Sequence, residues 1–89
     1  MNVFISLKAI DEEVHINFVA SDKGGNGLKI EDRIISLILV ACNQLDIKCI
    51  HYDVENGEPS KQRAQVKYDM TPCPNFSCWH FHQTWTDQI

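Results

Sequence analysis

Hydrophobic and polar positions alternate with period two at both ends of this chain and with a helical period in the middle. Val3, Ile5 and Leu7 alternate with Asn2, Ser6 and Lys8, with Phe4 interrupting the polar side. Val14, Ile16 and Phe18 alternate with His15 and Asn17. Side chains of a strand repeat every second residue, so these segments predict two strands, and the polar Asp11-Glu12-Glu13 between them predicts a hairpin. From Ile30 the period lengthens: Ile30, Ile34, Leu37, Ile38, Ala41 and Leu45 recur at helical spacing, which predicts a helix from Leu28 to Leu45. Glu31 and Asp32 then fall in its first turn, where carboxylates favour the helix dipole.

Period two returns in Ile47 to Val54, a third strand. Glu55 to Ser60, with Asn-Gly and a nearby proline, predicts a turn or loop. Val66, Tyr68 and Met70 alternate with Lys67 and Asp69, predicting a fourth strand over Gln65 to Met70; two prolines in Thr71 to Asn75 end it. Ser77 to Trp85 is the predicted fifth strand. The order ββαβββ, read as a single domain over residues 1–89, fits an α+β two-layer sandwich in which one amphipathic helix covers a mainly antiparallel sheet of about five strands.

The helix stripe is wider than one face, because Ile35, Leu39 and Val40 extend it. So broad a stripe asks for cover on two sides, by the C-terminal segment or by a second subunit. Ile35, Leu39 and Val40 are therefore candidate partner contacts, and a homodimer through the helix or a strand edge is expected.

The sheet face away from the helix carries the chemistry. Cys49, His51 and Asp53 alternate with Ile50, Tyr52 and Val54, and Cys78, His80 and His82 alternate with Trp79 and Phe81. If the third and fifth strands are neighbours, these polar residues meet, together with His15, Asn17, Lys67 and Asp69, while Trp79, Phe81 and Trp85 point into the core. Cys73, Cys78, His80 and His82 are candidate zinc ligands, with Cys49 or His51 as further donors, since zinc takes tetrahedral sets of thiolate and imidazole. Cys73-x4-Cys78 has the spacing of a ligand pair. His80-x-His82 is shorter than the usual pair, yet on a strand both rings face the same way. The competing reading makes Cys73 a loop residue, Cys78 a packing residue and the histidines a solvated face.

Two other chemistries have less support. An acid-base site would set His51 or His80 beside Asp53 or Asp69, with Cys49 or Cys78 as nucleophile. It requires a pocket, which a flat sheet lacks unless the loop from Asn56 to Arg63 or a second subunit roofs it. Gly24-Gly25-Asn26-Gly27 before the helix would suit an anion, but the residues after it match neither phosphate-binding glycine motif, so it reads as a flexible connection.

Composition narrows the choice. With 89 residues, 44% hydrophobic and 22% charged, the chain has the make-up of a folded domain. A net charge of -4 and scattered basic residues, densest at Lys61, Arg63 and Lys67, argue against a nucleic-acid surface. No apolar run approaches the ~20 residues that cross a bilayer. Met1 to Ile10 lacks a basic start and alternates, so a cytoplasmic protein with reduced thiols is expected, with Cys42 a small buried hydrophobe. The function expected on these grounds is a small acidic protein that binds and regulates or inhibits a protein partner without catalysis. Its contacts would be His15, His51 and Asp53 on the sheet and Ile35, Leu39 and Val40 on the helix. A zinc-binding domain is the alternative, and a small enzyme the third choice.

Overall fold

The computed structural model describes residues 2–21, 25–47, 49–76 and 79–84. Its elements are β1 (Val3–Ile10), β2 (Glu13–Ala20), α1 (Gly25–Gln44), β3 (Cys49–Val54), α2 (Glu58–Val66), β4 (Thr71–Pro72) and β5 (His80–Thr84). The fold is the expected α+β arrangement, with a helix laid on a five-stranded sheet of order β1-β2-β3-β5-β4. Only β2 and β3 run parallel, joined through α1; the other neighbours are antiparallel. The β1–β2 turn consists of Asp11 and Glu12, both with positive φ (49° and 69°), the left-handed pair whose twist matches a two-residue hairpin.

One sheet face supplies Ile16, Phe18, Ala20, Ile50, Tyr52, Val54 and Phe81 to the core, and Ile35 and Cys42 of α1 close over them with Ala64, Tyr68 and Met70. Trp79 packs at the margin of this cluster, as its strand phase predicted, and Trp85 lies outside the described residues. Among the described residues, no helix is long and apolar enough to cross a membrane.

The structure corrects the sequence reading between β3 and β5. Residues expected as a loop and the start of a fourth strand form α2. Pro59 stands in the first turn, where its missing N–H costs nothing, and Glu58 and Arg63 sit at the ends where their charges suit the helix dipole. The alternation in Gln65 to Met70 is the exit from this helix: Val66 is exposed, Tyr68 and Met70 reach into the core, and Asp69 turns the chain with φ 55°. The fourth strand is instead Thr71–Pro72, at a sheet edge, where proline leaves no ladder bond unmade.

Two carboxyl groups bind the helices together. Because α1 starts at Gly25, Glu31 falls beyond the first turn and faces inward, 1% exposed, where the hydroxyls of Tyr52 and Ser60 donate to it. Burial, and then the neighbouring Glu31, push the Tyr52 hydroxyl up, so it remains a donor. Nearer the surface, Lys67 Nζ lies 2.6 and 2.9 Å from the two Asp32 oxygens, and the Tyr68 hydroxyl donates to Oδ1 at 2.6 Å. Burial pushes the Asp32 carboxyl up, but hydrogen bonds from Lys67 and Tyr68 and the charges of Lys67 and Arg63 outweigh it and hold it below its usual value. A carboxyl depressed in the folded state stabilises the fold above its unfolded pKa, about 3.9, and loses that contribution as pH falls through the folded value. Asp32→Asn should therefore lower the urea midpoint at neutral pH, and its deficit against the parent should shrink as the pH is taken below the aspartate range. A deficit that stays constant in acid would show that the Asp32 charge contributes nothing.

Candidate metal centre

The strand registers set two rows of polar residues across the open face. One row runs Lys8, His15, His51, His82, Thr71, each the Cα partner of the next. The adjacent row runs Ser6, Asn17, Asp53, His80, and Cys73 extends it, because its N–H donates to the His80 carbonyl at 2.9 Å. The adjacency of β3 and β5 on which the sequence reading depended is present. Lys67 and Asp69, expected on this face, belong instead to the exit from α2.

Three donor atoms converge here. His51 Nδ1 lies 3.2 Å from His80 Nε2 and 3.6 Å from Cys73 Sγ, and all three atoms are within 4.8 Å of one another. With Zn–N of about 2.0–2.1 Å and Zn–S of about 2.3 Å, a tetrahedral ion sets two nitrogens about 3.3 Å apart and a nitrogen and sulfur about 3.6 Å apart. The His51–His80 and His51–Cys73 spacings match those edges, and Cys73 and His80 lie within 4.8 Å of each other. His82 joins from the far side, its Nδ1 3.0 Å from Cys73 Sγ.

Each ring has its other nitrogen against an outer partner. His80 Nδ1 is 3.4 Å from Asp53 Oδ1, His51 Nε2 is 3.4 Å from Glu13 Oε2, and His82 Nε2 is 3.3 Å from the Thr71 hydroxyl. The Thr71 contact is a hydrogen bond, and the two carboxylates stand at ion-pair distance from the outer nitrogens, the side on which such partners favour the tautomer with its free lone pair inward. Burial lowers the pKa of His51, and the charge of His15 adds to this; Glu13 opposes it, and His80 and His82 contribute less. The ring is thereby held neutral, the form that ligates a metal. Burial pushes the Cys73 thiol up, as do Cys49 and Glu13.

A second group, Glu13, Cys49 and His51, shares the middle histidine through its Nε2, which is 3.3 Å from Cys49 Sγ. The turn after β4 shelters the site: Phe76 stacks on His80 at 4.4 Å with 19° between the rings. Beneath that turn a cleft of about 250 Å³ is lined by Glu13, Cys49, His51, Cys73, Phe76 and His82 among others. A second cleft of about 390 Å³ lies across the His51–His80 pair, toward Lys8, His15 and Asn17. Residues 56–63, the loop an acid-base site would have needed as a roof, instead lead into and form most of α2.

Of the four residues first read as zinc ligands, Cys73 and His80 meet in the cluster, His82 touches Cys73, and Cys78 lies outside the described residues. His51, read as a contact residue and a further donor, is the centre. His15 stacks on it with centroids 4.5 Å apart, and Asp53 backs His80. On the helix, Ile35 is wholly buried and Leu39 packs on the core, because both face the sheet; Val40 remains exposed. Glu13, Thr71 and Phe76 were not singled out from sequence. Glu13 shares the strand phase of His15 and Asn17, and that phase would have found it. Comparison with family models, with curated proteins and with solved structures gives no match to this chain, so the geometry alone carries what can be said of its function.

Proposed function

We propose that this protein binds a single transition-metal ion, zinc by the character of its donors, through His51 Nδ1, His80 Nε2 and Cys73 Sγ, with His82 Nδ1 beside the thiol. One observation carries the reading: His51 and His82 each set a nitrogen against Cys73 Sγ, His80 sets one against His51 Nδ1, and each ring has its other nitrogen beside an oxygen-bearing side chain. A solvated row of histidines has no reason to be paired in this way. Mixed imidazole and thiolate donors at tetrahedral spacing suit zinc rather than calcium or magnesium, which take oxygen ligands. His82 Nδ1 stands beside Cys73 Sγ but outside the set of mutually close donors, so three protein donors hold the ion and its fourth position is open.

Titration of the reduced protein with Co2+ tests this directly. The expected result is saturation at one equivalent, with the intense absorption of tetrahedral cobalt and a thiolate-to-metal band, both abolished by zinc. Absence of saturable binding, or a weak octahedral spectrum unchanged in Cys73→Ser, would refute it.

A further inference from the structure

The first strand is supported on one side only. Its eight residues pair with β2 from Val3↔Ala20 to Ile10↔Glu13, and none of them belongs to the buried core. On the helix side Val3, Ile5 and Leu7 are 38%, 38% and 55% exposed, and on the other face Phe4 is 63% exposed. An edge strand with so much apolar surface in water is one that a partner would cover.

The backbone specifies the kind of cover. Ser21 N donates to the Asn2 carbonyl at 2.9 Å, and Asn2 N donates to the Ser21 hydroxyl. Residues that bond inward alternate along an antiparallel strand, so Phe4, Ser6 and Lys8 also turn their backbone groups to β2. Val3, Ile5, Leu7 and Ala9 turn theirs outward, where among the described residues no strand lies beside them. Of the usual edge protections β1 has one charge, Lys8, and no proline, and it is eight residues long. The opposite edge is closed: β4 is two residues long and one of them is Pro72. A sheet with one open edge cannot grow head to tail, and the symmetric joint available to it is β1 against β1.

The sequence of β1 suits that joint. With Ser6 on a two-fold axis, Ile5 opposes Leu7 of the second copy and Val3 opposes Ala9, all on the helix-side face. On the other face Phe4 opposes Lys8, and no two like charges meet. We infer that a second copy of this chain pairs antiparallel with β1, merging two sheets into one closed, two-fold dimer. The interface uses none of the proposed metal ligands, and the helix residues Ile35 and Leu39 are not needed for it.

Light scattering of the full chain at micromolar concentration, with and without a chelator, tests the inference. The expected mass is twice the 10.2 kDa of one chain, in both buffers. Leu7→Pro removes an outward N–H and leaves the ladder to β2 intact, so it should give a monomer with the parent's circular dichroism. Ile5→Lys places a charge at the joint and should do the same, which keeps the test decisive if the proline variant fails to fold. A monomeric parent protein, or a dimer that survives Ile5→Lys, would overturn it.

Discussion

Cys73→Ser should weaken zinc binding by more than about 100-fold, and Asp53→Asn by about 10- to 100-fold, the range found for removing an outer partner of a ligating histidine. His15→Ala should change it far less. The ranking follows from what each side chain touches. Cys73 Sγ is the atom that both His51 Nδ1 and His82 Nδ1 approach, so its loss removes the donor the cluster shares. Asp53 touches no donor atom; it holds His80 Nδ1 at 3.4 Å, and asparagine keeps an acceptor there while losing the charge that strengthens the ring as a ligand. His15 lies flat against His51 and directs its Nε2 to Glu13 at 3.3 Å, outside the donor set. Competition against a chromophoric chelator would measure all three. If Asp53→Asn matched the parent while His15→Ala lost binding, the ion would be held by the Glu13, Cys49 and His51 side of the cluster instead.

How much of this site could be read in the chain depends on the range of the interaction concerned. The phase of Cys49, His51 and Asp53, and of His80 and His82, is a local property, since period two alone decides which face each occupies. That β3 and β5 are neighbours is not local. It follows from α1 carrying the chain back so that β3 lies parallel to β2, which leaves the other side of β3 open for β5. Cys73 was legible as a ligand type but not as a position, because a loop held between prolines has no period; its place comes from the two-residue strand that precedes it. Residues Gln65 to Met70 misled for the opposite reason. Their alternation is real, but Val66 ends a helix and faces water while Tyr68 and Met70 turn into the core, so burial came from a tight turn rather than from a pleat. The breadth of the α1 stripe invited a partner for Ile35 and Leu39, and the core absorbed them. Uncovered apolar surface lies both on α1, at Leu37 and Val40, and on β1, whose alternation looked like that of any half-buried strand.

Glu31→Ala should destabilise the fold by about 2–6 kcal/mol, from two buried hydroxyl donors left unsatisfied at about 1–3 kcal/mol each. Against a total stability of about 5–15 kcal/mol for a domain, that brings the protein close to unfolding at room temperature. The loss has two parts. Truncation leaves a cavity under α1, and it strands the Tyr52 and Ser60 hydroxyls, which donate to Glu31 from β3 and α2 in a region closed to water. An unsatisfied buried donor costs about 1–3 kcal/mol, whereas replacing every partner with apolar groups of similar shape is close to neutral. The triple variant Glu31→Leu, Tyr52→Phe, Ser60→Ala should therefore recover most of what Glu31→Ala loses, even though it removes more hydrogen bonds. Arg63 does not prevent this recovery, since its guanidinium is partly exposed, keeps the Leu28 carbonyl at 3.1 Å, and stands 3.8 Å from Glu31. Urea unfolding of the parent, the single and the triple variant decides the matter. A triple variant no more stable than Glu31→Ala would mean that the carboxyl group fixes the angle between α1, β3 and α2, and that apolar packing cannot replace it.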